Sequence, residues 1–133
     1  MRATSTFTVS DFEPVDAPET STAMPIGYSR MRKTYAGEAT GTSLTLFTAA
    51  FDQARGTGTY VAMEAFEGSL AGRSGSFAFI HSASTSGSDR ANDYSLIVPG
   101  SGTGELAGLT GRATLSIDAD GTHRMAFDFE LGG

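Results

Sequence analysis

Residues Arg112–Leu131 read RATLSIDADGTHRMAFDFEL, and this stretch decides the fold. In its second half His123, Met125, Phe127, Phe129 and Leu131 share one phase of a period-two pattern, while Arg124, Asp128 and Glu130 share the other. Side chains alternate across a strand, so the first set faces a core and the second faces water. The preceding run, Arg112 to Asp118, alternates in the same way. Between the two runs stands Asp120-Gly121, a pair that accepts the positive φ of tight hairpin turns. Two paired antiparallel strands are predicted.

The same punctuation recurs towards the N-terminus. Period-two runs bounded by Gly, Pro and Asp predict further strands over Thr4–Glu13, Ser29–Glu38, Ser43–Phe51, Gly58–Phe66, Gly72–Ala83 and Tyr94–Val98, about eight in all. No stretch carries an amphipathic helical pattern. Residues 11–29, with Pro14, Pro18 and Pro25, read as irregular chain across one mouth of the sheet. A chain of 133 residues with 17 Gly, nine Phe and 39% hydrophobic residues suits a thin-walled sheet better than a helical bundle. An open sheet of this many strands exposes two edges and closure removes them. The expected fold is all-β: one domain over residues 1–133, a single closed eight-stranded antiparallel up-and-down barrel.

Composition limits the partners. A formal net charge of −6 and a lone cationic cluster, Arg30, Arg32 and Lys33, leave no footprint for a phosphate backbone, so no nucleic acid is expected. That cluster reads as an exposed strand face. Without Cys there is no thiolate or disulfide, and two His do not make a metal site; no metal and no cofactor are expected. The N-terminus alternates where a signal peptide would be continuously apolar, and runs such as Tyr60–Met63 are far shorter than a membrane span. A cytoplasmic protein without membrane contact is the expectation. Gly102-Thr-Gly-Glu-Leu-Ala107 matches the dinucleotide pattern G-x-G-x-x-A in form, but Gly108 and Gly111 interrupt any helix after it, so a Gly-rich turn is predicted.

Candidate chemistry is scattered. In the fifth strand Phe77, Phe79 and His81 share a phase that points inward. Strand four is ambiguous: Tyr60, Glu64 and Phe66 oppose Val61 and Met63, and either face could be the interior. A hairpin turn between Leu70 and Ala71 would set Glu64 opposite Phe77 and Tyr60 opposite His81. That gathers an acid, a phenol and an imidazole beside aromatic rings, as in a site that binds an apolar ligand and handles a proton. Glu64, His81 and Tyr60 are the candidate catalytic residues; Tyr35, Phe77, Phe79, Tyr94, Met125, Phe127 and Phe129 are candidate ligand-binding residues. Buried among apolar groups, Glu64 should be harder to ionise, and Glu64→Gln should spare the fold. His123, beside a turn, is expected at the surface, and Glu105 is expected to cap its own turn.

The segments KTYAGEATG (33–41), YVAMEAFEGSLAGRSGSFAFIH (60–81) and VPGSGTGELAGLTG (98–111) resemble a bacterial family, the domain of unknown function numbered 3224. That family is similar in fold to allene oxide cyclase and the dirigent proteins, eight-stranded barrels that form dimers or trimers. The resemblance implies a homodimer or homotrimer, and a cavity that binds an apolar small molecule, as a cofactor-free cyclase or isomerase of bacterial secondary metabolism. A non-catalytic carrier or sensor, and a structural barrel filled by its own side chains, are the alternatives.

Overall fold

In the computed structural model, which describes residues 1–132, eight strands form one ring-like antiparallel sheet. They are β1 (Arg2–Val15), β2 (Ile26–Gly37), β3 (Ala39–Asp52), β4 (Thr57–Leu70), β5 (Arg73–Ser86), β6 (Ala91–Ile97), β7 (Leu109–Ile117) and β8 (His123–Leu131). Each strand pairs with its neighbours in sequence, and β1 pairs with β8 as well as β2, so the ladder returns on itself. No helix among the described residues is long and apolar enough to cross a membrane.

Alternation sorts the side chains as the sequence implied. Met125, Phe127 and Phe129 of β8 and Phe77 and Phe79 of β5 point into the ring and are buried. Strand β4 resolves with Glu64 and Phe66 inward and Val61 and Met63 outward. Outside, Leu46, Met63, Ile80 and Leu96 lie in register across β3 to β6 as an apolar row. The β4–β5 turn is Ala71-Gly72, with Leu70 paired to Arg73, one position later than expected. This moves the pairing by two residues: Glu64 faces Phe79 and Phe66 faces Phe77. A shift of two keeps every side chain on its face, whereas a shift of one would have exchanged the faces.

One end of the ring is filled. Phe66, Phe77, Phe79 and Phe127 pack with ring centroids 5.1–5.8 Å apart, in tilted and edge-to-face pairs. The Gly-rich segment crosses beneath them, and its single 3-10 turn, Gly104–Leu106, puts Leu106 into the same core. This approach needs a glycine at 75, where a Cβ would stand 2.1 Å from the Thr103 carbonyl oxygen. Strand β7 follows at once, so no helix extends from the G-x-G-x-x-A pattern. Glu105 accepts a hydrogen bond from Ser74 N at 3.1 Å, and so tethers β5 instead of capping its own turn.

At the other end β1 to β5 stand taller than β6 to β8. The irregular segment is shorter than expected, residues 16–25, because β1 continues to Val15 through a register break between Ser10 and Glu13, with Asp11 at φ 53°. The seam between β6 and β7 is thin: only Ile97 and Gly111 pair as strands. Beyond them the Ser95 side chain stands in for the ladder, accepting from Ala113 N at 2.8 Å and donating to the Ala113 carbonyl.

Candidate functional site

Glu64 sits in mid-strand with its side chain fully buried. Four donors meet its carboxylate. Lys33 Nζ donates to Oε2 at 2.9 Å, His81 Nε2 to Oε2 at 3.0 Å, Ser43 Oγ to Oε1 at 2.6 Å, and the Tyr35 hydroxyl to Oε1. Lys33 is itself 4% exposed. The sequence groups it with Arg30 and Arg32 on an exposed strand face, but along β2 it shares the inward phase of Tyr35 while the two arginines face out. The partner that a buried carboxylate requires was therefore present in the sequence, visible in parity and hidden by the neighbouring charges.

Burial pushes the Glu64 carboxyl up. The hydrogen bond from His81, the charge of Lys33 and the hydroxyls of Ser43 and Tyr35 outweigh it and hold the group well below its ordinary 4.5, at about 2. The expectation of a carboxyl harder to ionise is thus reversed: desolvation operates, but four donors saturate the anion. Tyr35 moves the other way, since burial and the adjacent carboxylate both disfavour a phenolate.

This shift fixes a pH dependence. A carboxyl lowered by folding contributes stability above its unfolded value, and that contribution is lost as pH falls from 4.5 through about 2. At ~1.4 kcal/mol per pH unit, the loss attributable to Glu64 is about 3 kcal/mol. Urea unfolding followed from pH 6 down to pH 2 should show this decline. An unfolding free energy flat over that range would contradict the assignment.

From Glu64 a chain of hydrogen bonds leads outward. Because the ionised carboxylate only accepts, His81 Nε2 carries the proton between them. Its Nδ1 meets the Tyr60 hydroxyl at 2.9 Å, Arg90 Nη2 donates to the same hydroxyl at 2.6 Å, and Arg90 Nε donates to Asp93 at 3.0 Å. Burial pushes the Tyr60 phenol up, against the lowering effect of Arg90. The chain runs from a buried ion pair to the open end of the ring.

Two cavities meet this chain. The larger, about 460 Å³, is an apolar trough at the open end, lined by Phe47, Phe51, Tyr60, Ala83, Arg90 and Ile117 among others. A neighbouring hollow of about 370 Å³ shares Phe47, Ala49 and Phe51 and extends the apolar surface to Phe12 and Ile26. The smaller cavity, about 190 Å³, opens at the β6–β7 seam beside His81, Arg90, Arg112 and Met125.

The expected site residues divide accordingly. Glu64, His81 and Tyr60 come together, joined by direct hydrogen bonds. Phe77, Phe79, Phe127 and Phe129 pack in the filled end and line none of these three cavities, and Tyr35 is committed to Glu64. Met125 borders the seam cavity from inside. Tyr94, on the outward phase of β6, is 47% exposed and borders the same cavity from outside, beneath the Arg112 guanidinium at 5.7 Å. His123 is half-buried against Phe7, ring centroids 5.3 Å apart, and not a surface residue. Lys33, Ser43 and Arg90 were missed. Arg90 lies just before β6, where no periodic pattern marks it. With all four donors on Glu64 supplied by the protein, the carboxylate has no oxygen lone pair left for a metal.

The family model described as a protein of unknown function (DUF3224) matches residues 3–129. The chain belongs to the DUF3224 family. A solved structure of a DUF3224 protein of unknown function from Shewanella oneidensis MR-1 is 31% identical, with a TM-score of 0.84, over 100% of this chain and 98% of that one. No curated protein matches the chain. The eight-stranded ring is therefore shared with a solved DUF3224 relative across its length.

Proposed function

We propose that this DUF3224 protein binds an apolar small molecule in the trough at the open end of the ring, against Phe47, Phe51, Tyr60 and Ile117. The observation that carries the reading is the coincidence of a 460 Å³ apolar cavity with Tyr60, the outer hydroxyl of a hydrogen-bonded chain that ends on a buried ion pair. Ligand pockets of this size, mostly apolar with a few convergent polar groups, are the usual form of small-molecule sites. The aromatic-packed end argues against a ligand in the middle of the lumen, so the filled-barrel alternative describes one half of the molecule and the binding reading the other. The up-and-down order of the strands supports counting the ring as a closed barrel of the allene oxide cyclase type.

A cofactor-free cyclisation or isomerisation suits this arrangement better than hydrolysis. Tyr60 is the group that touches the ligand and would pass a proton, with His81 Nδ1 behind it. Glu64, saturated and strongly acidic, is a positioning residue that fixes the imidazole tautomer. A carrier or sensor would use the same trough without the proton step.

Nile red, a neutral polarity-sensitive dye, tests the binding. Its emission should rise and shift to the blue with one saturable site, and Phe51→Asp, at a half-exposed position, should abolish the change while leaving the melting temperature near the parent's. No emission change with the parent protein, or binding indifferent to Phe51→Asp, would refute the trough as a site.

A further inference from the structure

Arg90 lines both the apolar trough and the seam cavity. The two spaces differ in chemistry. The trough is walled mainly by Phe51, Ile117, Ala49, Ala83 and a stacked Phe47–Tyr60 pair, ring centroids 4.9 Å apart. At its edge stand the hydroxyls of Thr59, Ser84 and Thr85 and an Asp89 carboxylate that accepts from Ser86. Around the seam stand two guanidiniums, an imidazole and the hydroxyls of Ser82, Ser95 and Thr114, with Asp93 as the one carboxylate. Asp93 is already engaged by Arg90 at 3.0 Å. Arg112 spends Nη1 on the Ser95 carbonyl at 3.2 Å and lies over the Tyr94 ring; its other N–H groups have no partner among the described residues. A planar guanidinium with unused donors, lying over a tyrosine ring beside a cavity, is suited to a planar anion.

Resting on the trough reading above, we propose that the ligand is an apolar carboxylic acid, its ring or hydrocarbon body in the trough and its carboxylate at the seam between Arg90 and Arg112. Arg90 then has two roles: it bounds the apolar space and it brings the anion next to the Tyr60 hydroxyl it already contacts. The reacting part of the ligand is thereby set close to its charged end, because the same arginine touches both the seam and the proton-bearing phenol.

The test is displacement of Nile red by two isosteric naphthalenes, 2-naphthoate and the neutral 2-naphthamide, at pH 7. The acid should displace the dye at roughly tenfold lower concentration than the amide, the size expected for one charge-assisted hydrogen-bonded pair. Arg112→Gln, at an exposed position, should bring the ratio to about one, and Arg112→Glu should invert it. If the amide displaces as well as the acid, if neither displaces, or if the preference survives in Arg112→Gln, the anion site is wrong while the trough stands. If Nile red does not bind the parent protein at all, the trough reading fails and the anion site with it.

Discussion

Replacing Glu64 by Gln is expected to lower the unfolding free energy by about 3–5 kcal/mol at pH 7, because it removes one member of a buried ion pair and leaves the other uncompensated. Lys33 Nζ is 2.9 Å from the carboxylate, and the two side chains are 4% and 0% exposed. A carboxamide offers one oxygen and one N–H₂ group, whereas the site presents two donors to each of two oxygens. Turned one way, its N–H₂ faces Lys33 and the N–H of His81; turned the other way, it faces the Ser43 and Tyr35 hydroxyls, which can rotate to accept. The Lys33 charge is left without a counterion in either case. With Lys33 as its partner, Glu64→Gln is expected to destabilise the fold, where the sequence alone leads one to expect that it spares it. Adding Lys33→Met to Glu64→Gln should recover part of the loss, since the stranded charge goes. A Glu64→Gln protein that unfolds at the parent's urea concentration would contradict the ion pair.

Phe127→Ala should cost about 3–5 kcal/mol. Phe127 is fully buried and meets Phe77 and Phe79 edge-on, at centroid distances of 5.7 and 5.4 Å, with Tyr35 at 6.5 Å. These rings come from three strands, so no single neighbour can collapse into the space without losing its other contacts. The loss should appear in urea midpoints with little change in slope. A midpoint shift worth less than about 1 kcal/mol would mean that the filled end repacks freely, and the lumen would again be available to a ligand.

Much of the ring was legible because period two is a strong signal wherever one face is buried. His123 to Leu131 and Phe77 to His81 fixed the phases of β8 and β5 without help from their neighbours. Register was less legible: the Ala71-Gly72 turn lay one position from where the sequence suggested. The grouping of Glu64 with His81 survived because the resulting shift was even. Charge is legible along a strand only together with parity. Lys33 follows directly on Arg32 in sequence but points to the opposite face, and its parity with Tyr35, together with the demand of Glu64 for a counterion, is the signal that singles it out. Arg90 left no signal, since its role comes from β6 folding back beside β5 and not from any pattern along the chain. The filled end was likewise invisible, because the same inward phenylalanines could line a cavity or close one, and the choice depends on Leu106 arriving from the Gly-rich turn.

The central claim, that the trough communicates with the buried pair through Tyr60 and His81, has a direct spectroscopic test. The chain contains two histidines, so ¹⁵N-histidine labelling gives two imidazoles, told apart by His123→Gln. Titrating Nile red into the labelled protein should move the His81 Nδ1 resonance in step with dye saturation, because its partner is the Tyr60 hydroxyl in the trough wall. A His81 Nδ1 resonance that stays in place while the dye saturates would contradict the account.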